Sequence, residues 1–526
     1  MVLDPQSVGD QDEGHISGHD GAVGYALIYG YTKNICLPSS TSTWKTWNIL
    51  LPKVSETELD CPMGKIQDIP HIFDTLTDDL EAVRQSKHFD ADWYLEKYSD
   101  VTQLGMDPAE HYLKYGAAMR RDPSRRFCTG FYIDTRPGVT KSGMNPILYD
   151  LRRKSNGPLK NNVLWAASNV SRYHGYKRAL ALAMVSLPKD LQFTTHILRA
   201  NQAHINGDEG SWLANFNAYL EHYKLRPITL KPQGPSLLSR LSVDNLTYVE
   251  QGPLISVIMA AWNAEETVDY AARSILQQTW RPLELLIVDD ASTDDTWNRL
   301  KELAASDTRV KILRNKRNVG PYVSKNIALM RAQGDYITGH DADDWAHPER
   351  LENHIRAATK EGRNLKASLN YMVRIRADGF FGHIGKITGF SLDGATRKAS
   401  ISCLFEEKFL KERLGYWDSV RFGGDSEMIS RAKRLLGDDF ADLPQIGMIC
   451  LDLETSLTNH PIHGVDKVLG VSSVRADYRD DWTAWQNDKM TNENSRLDFP
   501  QVKPRYRAAP EMTVPYSDIM ENLEPT

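Results

Sequence analysis

From residue 254 onward, short apolar runs alternate with segments of helical periodicity, and this alternation constrains the fold more than any other feature of the sequence. LISVIMAAW (254–262) and LELLIV (283–288) are runs of mostly apolar residues, as expected of strands buried on both faces. Segments such as EETVDYAARSILQQ carry apolar residues at helical spacing. The pattern predicts a parallel sheet with helices on both sides, whose ligand lies beyond the carboxyl ends of the strands.

Two acidic clusters follow predicted strands. VDDAS places Asp289 and Asp290 after LELLIV, and HDADD places Asp341, Asp343 and Asp344 after the strand DYIT. Asp294 and Asp295, just beyond the first cluster, suit a helix start, because acidic side chains favour the positive end of a helix. Asp289 and Asp290 precede that cap and need another explanation.

HDADD is open to several interpretations. A calcium loop counted from Asp341 fails, because Trp345 occupies a ligand position and the sixth residue is not glycine. A phosphatase nucleophile at Asp341 has an unusual neighbour in Trp345, and the chain has no Walker P-loop. Asp344 suits the entry to the next helix, which Pro348 would open. Asp341 and Asp343 remain for a hard divalent cation, Mn²⁺ or Mg²⁺, completed by substrate phosphates and water.

Six blocks occur in order between residues 256 and 431. They are SVIMAAWNAEETV, SILQQTW, LELLIVDDASTDDT, NKRNVGPYVSKNIAL, GDYITGHDADDWAHPERLE and GYWDSVRFGGDSEMISR. With them, residues 254 to about 450 resemble the catalytic domain of family 2 glycosyltransferases, which has the α/β, Rossmann-like GT-A fold and transfers sugar from a nucleotide-sugar donor. Six ordered blocks are far more specific than a single D-x-D.

The resemblance implies a donor site. It assigns the nucleotide to the end of the first strand and to the first acidic turn, and the ribose and diphosphate to the N-x-G…R-N region, where Lys325 replaces the usual arginine and so loses the bidentate fork. It assigns the cation that holds the donor diphosphate to the D-x-D. The implied substrate-binding residues are Ala261, Asn263, Asp289, Asp290, Asn318, Gly320, Lys325, Asn326 and Asp341, and the implied metal ligands are Asp341 and Asp343.

The resemblance also implies a catalytic base that deprotonates the acceptor hydroxyl. Asp425 matches the aspartate of the family's E-D pair, whereas Gly424 replaces the glutamate. Glu427 is a candidate helper, or else an ion-pair partner of Arg431 four residues on. Trp345 is a candidate floor under the acceptor sugar, or else a core residue.

Three histidines near these motifs are considered as cation ligands, because histidine is a common metal ligand. His460 and His463, in SLTNHPIHG, both stand where GT-A enzymes often take a further cation ligand, and the sequence does not choose between them. His340, before Asp341, is expected to pack or hydrogen-bond rather than to ligate.

An internal repeat precedes the predicted α/β domain. Residues 89–113 align without gaps to 127–151, with eight of 25 positions identical. Each copy predicts helices around a Gly-Met-Asp/Asn-Pro turn, in which Asp or Asn caps and Pro opens the next helix. The repeats resemble those attached to some bacterial polysaccharide glycosyltransferases. We expect a structural or docking module.

The sequence as a whole divides into six segments. Residues 1–60 have no clear periodicity and 61–158 contain the repeats; a helical hairpin is expected within 159–232. A linker, the GT-A domain and a C-terminal extension are expected at 233–253, 254–455 and 456–526.

Bulk composition argues against several classes of protein. A net charge of −6 is unlike that of a dedicated nucleic-acid binder. The five cysteines are dispersed without a C-x-x-C pair, which favours reduced thiols over a zinc site. With neither a signal-like start nor a long apolar segment, we expect a cytoplasmic protein, or one peripheral at the inner face of the membrane.

Together these features predict an inverting glycosyltransferase of polysaccharide biosynthesis. It would use a nucleotide sugar, which the resemblance implies is of the UDP class, together with a divalent cation and an Asp base, and its acceptor would be glycan or lipid-linked. Two alternatives stay open. One is a degenerate domain that binds glycan or acts as a scaffold, and the other is a nucleotidyltransferase, although AAWNAEETV lacks the Gly-rich basic loop that it would need.

Overall fold

The first described part of the chain, from residue 69 to residue 222, is mainly helical. The structure, a computed structural model, describes residues 69–153, 157–363, 365–453, 456–457, 459–460, 462–466 and 470–524, so the predicted 1–60 segment lies outside the described residues. The helices of the first part are α1 (Ile69–Arg84), α2 (Ala91–Lys97), α3 (Ser99–Gln103), α4 (Pro108–His111), α5 (Thr129–Thr135), α6 (Pro137–Ser142), α7 (Pro146–Arg152), α8 (Lys160–Ser186), α9 (Thr195–Ile205) and α10 (Glu209–His222).

The turn shared by the two repeats has the predicted geometry. Asp107 Oδ1 accepts a hydrogen bond from the backbone N–H of Glu110 (2.8 Å), and Asn145 Oδ1 accepts one from Ile147 (3.0 Å). Proline is the first residue of both α4 and α7. The capping role predicted for the repeated Asp/Asn-Pro pair is therefore confirmed.

The predicted hairpin of two helices, SRYHGYKRALALAMVSL and SWLANFNAYLEHY, has a third helix between them, because α9 lies between α8 and α10. α9 ends at Ile205 and α10 begins at Glu209, so only the first three residues of NGDEG form the turn and the last two belong to α10. Trp212, Phe216 and Leu220 line the buried face of α10. Helix α10 packs on the following domain, where Trp212 Nε1 donates to the backbone oxygen of Gly379 (2.9 Å).

The stretch predicted to be a linker contains regular structure. It contains helix α11 (Leu237–Arg240) and strand β2 (Leu241–Ser242). Strand β2 pairs antiparallel with β1 (Thr229–Leu230), which lies just before the predicted linker. Ser236 caps α11 with a capping box. The segment is thus more ordered than its Gly and Pro content predicts.

A nine-stranded sheet dominates the remainder of the described chain. Its strands are β3 (Ile255–Ala261), β4 (Leu283–Asp289), β5 (Val310–Arg314), β6 (Tyr336–Gly339), β7 (Trp345–Ala346), β8 (Ala367–Ile375), β9 (Thr396–Lys398), β10 (Leu404–Glu406) and β11 (Phe440–Leu451). The helices between them are α12 (Val268–Leu276), α13 (Thr296–Ser306), α14 (Gly320–Leu329), α15 (Arg350–Ala358), α16 (Glu407–Phe409) and α17 (Gly424–Leu436).

The sheet is mixed rather than wholly parallel. Strands β5, β4, β3 and β6 lie side by side and parallel, as predicted from the strand–helix alternation. Beyond β6 the sheet continues through β10, which is antiparallel to both β6 and β8. The prediction of an all-parallel sheet is wrong there, because β10 is three residues long and gives little periodicity to read. A mixed sheet of this kind, preceded by helices, is typical of GT-A domains and confirms the predicted fold class.

The C-terminal segment packs against α17. It contains β12 (Val465–Asp466), β13 (Gly470–Val471), α18 (Ser473–Asp488) and α19 (Tyr516–Leu523). Tyr478 and Trp482 of α18 share a hydrophobic core with Met428 of α17 and Tyr322 of α14. None of the described helices combines the length and the apolar character that crossing a membrane requires.

Candidate functional site

The carboxyl ends of β3, β4 and β6 bring both acidic clusters to one edge of the sheet. Asp289 is the last residue of β4 and pairs in register with Ala261, the last residue of β3. Asp341 and Asp343 follow β6, the other neighbour of β3. This is the edge at which ligands bind in open α/β sheets.

The carboxylates of Asp289 and Asp290 are both held by the protein. Asp289 is buried, and its Oδ2 lies 2.9 Å from Nε of Arg314. Asp290 accepts hydrogen bonds from the backbone N–H groups of Val319 (2.9 Å) and Gly320 (2.7 Å). Burial raises the pKa of Asp290, although these bonds oppose the rise. Asp290 therefore caps the start of α14, a structural task that leaves it little capacity for ribose.

Asn263 shapes the loop after β3. Its φ is 46°, its Oδ1 accepts a hydrogen bond from the Thr293 N–H (2.9 Å), and its own N–H donates to Ser292 Oγ (2.9 Å). The loop leaves 58% of Trp262 exposed, a residue that sequence analysis did not single out. A large exposed ring at this edge of the sheet is suited to stacking on a planar ligand.

Helix α14 connects the first acidic turn to the loop before α17. Asn318 Oδ1 accepts a hydrogen bond from Arg421 Nη1 (2.7 Å), and Gly320 has a φ of 78°, which favours glycine. Asn326 bonds Trp417 twice, donating to its carbonyl (2.8 Å) and accepting from its N–H (3.0 Å). Asn326 is buried and thus orders the loop rather than meeting substrate.

Lys325 extends from α14 toward the D-x-D. Its side chain is 2% exposed and its Nζ lies 3.3 Å from Oδ1 of Asp341, which is 42% exposed. Burial by itself lowers the pKa of Lys325, but the charges of Asp341 and Asp425 outweigh burial and raise it. Lys325 is therefore a fixed positive charge between these two carboxylates.

The three aspartates of HDADD differ in their surroundings. Burial, with a contribution from Asp341, raises the pKa of Asp343 to about 6. Asp344 is buried, accepts a hydrogen bond from the Leu451 N–H (3.0 Å) and has a pKa well above the usual range, chiefly because of burial. Its predicted helix-entry role is wrong, since α15 begins only at Arg350 and Asp344 instead joins this turn to β11.

Asp341 and Asp343 fit a hard divalent cation. Within the described ranges, no side chain donates a hydrogen bond to the Asp343 carboxylate, and Asp341 has Lys325 as its ion-pair partner. Two neighbouring carboxylates with free oxygens are the donor set that Mn²⁺ or Mg²⁺ prefers. Bringing them together is favourable once a cation offsets their repulsion.

Neither histidine of SLTNHPIHG joins these aspartates in a cluster of ligand atoms within 4.8 Å of one another, as far as the described residues show. His460 Nδ1 accepts hydrogen bonds from the N–H groups of Ile462 (3.2 Å) and His463 (3.1 Å). His463 stacks on Phe422, with ring centroids 5.5 Å apart. His340 is buried between Arg350 and the Asp344 carbonyl, which confirms the predicted packing role.

Asp425 lies in the first turn of α17 with two hydrogen-bond donors. Trp417 Nε1 donates to its Oδ1 (2.9 Å), and the Tyr322 hydroxyl donates to its Oδ2 (3.3 Å). Burial raises the pKa of Asp425, and the neighbouring Lys325 opposes that rise. An oriented carboxylate with a raised pKa is suited to general-base catalysis. Sequence reasoning missed Trp417 and Tyr322, because their contacts with Asp425 are tertiary.

The glycine that replaces the family's glutamate has a local explanation. A Cβ atom on Gly424 would lie 3.0 Å from the Tyr322 ring. The ring that supplies a hydroxyl to Asp425 thus occupies the space that a side chain at 424 would need.

Glu427 and Trp345 match the structural alternatives rather than the substrate roles. Glu427 is fully buried, and its carboxylate accepts hydrogen bonds from Arg431 (2.8 and 2.9 Å) and the Tyr506 hydroxyl (2.7 Å). Trp345 is 4% exposed and lies in the main core, on a strand paired with β11. Both residues are occupied by the protein itself.

The sequence matches known proteins over part of its length. Residues 256–397 match the family model "Glycosyl transferase family 2". An uncharacterized glycosyltransferase of Haemophilus influenzae is 43% identical over 104 residues, which are 20% of this chain and 32% of that protein. The Escherichia coli UDP-Glc:alpha-D-GlcNAc-diphosphoundecaprenol beta-1,3-glucosyltransferase WfaP is 36% identical over 102 residues, which are 19% of this chain and 40% of that enzyme.

A solved structure gives a weaker likeness. Staphylococcus aureus TarS in complex with UDP-GlcNAc has a TM-score of 0.31 and 20% identity, covering 39% of this chain and 60% of that one. This chain spans about a third to two fifths of the curated relatives that it matches. The matched residues include β3, β4 and the whole D-x-D region. Residues 256–397 of this chain are therefore a family 2 glycosyltransferase domain.

Proposed function

We propose that the chain is an inverting glycosyltransferase that moves a sugar from a UDP-sugar to a glycan or lipid-linked acceptor in polysaccharide biosynthesis. The observation that carries the proposal is the buried Lys325, which contacts Asp341, on the donor side, and interacts electrostatically with Asp425, the candidate base. The name of WfaP, a glucosyltransferase acting from UDP-Glc on a lipid diphosphate-linked sugar, supports the donor and acceptor classes.

Asp425 would act as the base. Its carboxylate takes the proton of the acceptor hydroxyl as that oxygen bonds to the anomeric carbon and the nucleoside diphosphate leaves from the opposite side. Trp417 and Tyr322 hold the carboxylate in place through the whole step. A single displacement of this kind inverts the anomeric configuration.

The donor side would be held by the turn after β6, by the start of α14 and by the loop after β3. Asp341 and Asp343 would hold Mn²⁺ or Mg²⁺, which neutralises the charge that develops on the departing diphosphate. Lys325 adds a positive charge that is already fixed before the donor binds. Trp262 would stack on the base, and Asn318 and Gly320 would border the ribose and diphosphate.

We place the reaction in the cytoplasm or at the inner face of the membrane, where nucleotide sugars and lipid-linked acceptors meet. The helical repeats at 89–151 are the proposed docking module. Gly424 keeps one rival open, a domain that binds glycan without catalysis, because the family's glutamate is missing there.

Donor hydrolysis and transfer separate the two. The full chain is incubated with a panel of UDP-sugars and Mn²⁺, and free UDP is measured. We expect release from at least one donor, its loss in Asp343→Ala and Asp425→Asn, and its retention in Asp480→Asn, a surface control. No release from any donor, together with binding of glycan, would support the scaffold instead.

A further inference from the structure

Arg374 lies on β8 near the cation site. Its neighbours Val373 and Ile375 are buried in the main core, so Arg374 faces the other side of the sheet, in register with Cys450 of β11. The next residue of β11, Leu451, donates its N–H to Asp344. Arg374 is also near enough to Asp343 to help lower the pKa of that carboxyl, against the larger effect of burial.

The Arg374 guanidinium has no partner among the described residues. It forms no ion pair or hydrogen bond with them, and its Nη1 is buried without an acceptor. Asp344 is bonded to the backbone of Leu451, and Asp452 accepts from Asn459 (2.7 Å) and pairs with His383 (2.9 Å). Of these three acids, Asp343 alone has a carboxylate that accepts no hydrogen bond from another described residue, and it is assigned to the cation.

A second arginine lies beside Arg374 without an acidic partner. Arg397 on β9 is in register with Met372, two residues before Arg374. Its Nη1 donates only to the carbonyl oxygens of Thr396 (2.7 Å) and Gly394 (3.4 Å) in the described chain. Asp393, its nearest acid in sequence, accepts hydrogen bonds from the hydroxyls of Tyr219 (2.6 Å) and Tyr223 (2.7 Å).

We propose that Arg374, supported by Arg397, binds an anionic group of the substrate, a carboxylate or a phosphate, next to the cation site. Arg374 is part-exposed, but its Nη1 is buried without an acceptor, which is unfavourable. A part-exposed guanidinium of this kind at a ligand edge is suited to an anionic ligand. The planar fork of arginine matches both carboxylate and phosphate with two parallel hydrogen bonds. This inference rests on the proposed function, and the anion comes from either the donor sugar or the acceptor.

Two pairs of ligands distinguish those sources. In the first arm the full chain with Mn²⁺ is titrated calorimetrically with UDP-glucuronate and with UDP-glucose, which differ by one carboxylate. In the second arm N-acetylglucosamine 1-phosphate and N-acetylglucosamine are titrated with and without saturating UDP. We expect tighter binding of the anionic member of one pair, and Arg374→Gln to reduce that preference about 10- to 100-fold, as loss of a charged hydrogen bond does.

Matched variants make the outcomes decisive. Arg376→Gln removes an arginine charge two residues further along the chain. It should leave the preference for the anionic ligand unchanged in both pairs. Arg374→Lys keeps the charge without the fork and should retain part of the preference. Equal binding within both pairs, or an equal loss of neutral and anionic ligands in a folded Arg374→Gln, would overturn the inference. Failure of UDP itself to bind would refute the donor assignment. The titrations of N-acetylglucosamine 1-phosphate and N-acetylglucosamine without UDP would still show whether Arg374 binds the phosphate.

Discussion

Asp425 depends on two donors for its orientation, and they differ in strength. The indole N–H of Trp417 is 2.9 Å from Oδ1, whereas the hydroxyl of Tyr322 is 3.3 Å from Oδ2. Both bonds favour the ionised carboxylate, while burial favours the neutral one. The balance sets the pH below which the base is protonated and inactive.

Trp417→Phe removes the shorter bond and keeps the ring. We expect the pKa of Asp425 to rise further, because the ionised carboxylate loses a hydrogen bond that contributes roughly 1.5–3 kcal/mol. The acid limb of the kcat/KM profile should move to higher pH, and Tyr322→Phe should move it less. An unchanged acid limb in a folded, active Trp417→Phe would contradict this role.

The raised pKa of Asp343 predicts how cation binding depends on pH. With a pKa raised to about 6 by burial and by Asp341, Asp343 is ionised at pH 7.5 and protonated at pH 5. The cation must then displace a proton, so we expect the Kd for Mn²⁺ to increase by about tenfold per pH unit below 6. Calorimetric titration in the absence of nucleotide measures it, and a Kd constant from pH 7.5 to 5 would refute it.

Helix α17 holds its position through a buried charge network. Glu427 pairs with Arg431 and also accepts from Tyr506 and Gln486, which belong to the C-terminal segment. The segment beyond the catalytic domain thus fixes the helix that carries Asp425.

Breaking that network should destabilise the fold rather than alter the chemistry. Glu427→Gln leaves a buried guanidinium unbalanced, and we expect a loss of about 3–5 kcal/mol in the free energy of unfolding. Glu407→Gln breaks a part-exposed pair of the same spacing with Lys411 and should cost less than about 1 kcal/mol. Urea unfolding measures both; a fully stable Glu427→Gln with abolished transfer would instead indicate catalysis.

At the scale of elements, local signals were sufficient wherever the structure is local. The buried strands β3 and β4, the turn at Asp107 and Asn145, and the turn before α10 follow from apolar runs and capping residues. The hydrogen-bond partners of Asp290, Asp344 and Asn326 lie distant in sequence, so local sequence patterns could not predict the structural roles of these residues. Gly424 shows the same limit. The space for a side chain there is taken by the ring of Tyr322, a residue distant in sequence.

The whole molecule joins its helical part to the α/β domain through Asp393. This carboxylate accepts hydrogen bonds from the hydroxyls of Tyr219, in α10, and Tyr223, the residue after α10, and from the backbone N–H groups of Ala395 (2.9 Å) and Thr396 (2.8 Å). Residues 68–526 form one compact unit, and Asp393 lies where its helical and sheet parts meet.

Asp393→Ala should weaken both parts together. We expect a loss of about 3 kcal/mol or more, because each buried donor left unpaired costs roughly 1–3 kcal/mol. Hydrogen exchange in α10 and in β8 should accelerate in parallel, whereas Asp480→Ala should change neither. Faster exchange confined to one part would show that the two parts unfold independently.

The ion pair of Lys325 with Asp341 has a consequence for the order in which ligands associate. A lone divalent cation at Asp341 would be repelled by the fixed ammonium group, and a lone nucleoside diphosphate would meet the charge of the aspartates. Arriving together, each neutralises what opposes the other. Thermodynamic reciprocity then requires that metal and nucleotide tighten each other's binding by the same factor, so Mn²⁺ alone should bind more weakly than Mn²⁺ in the presence of the nucleotide.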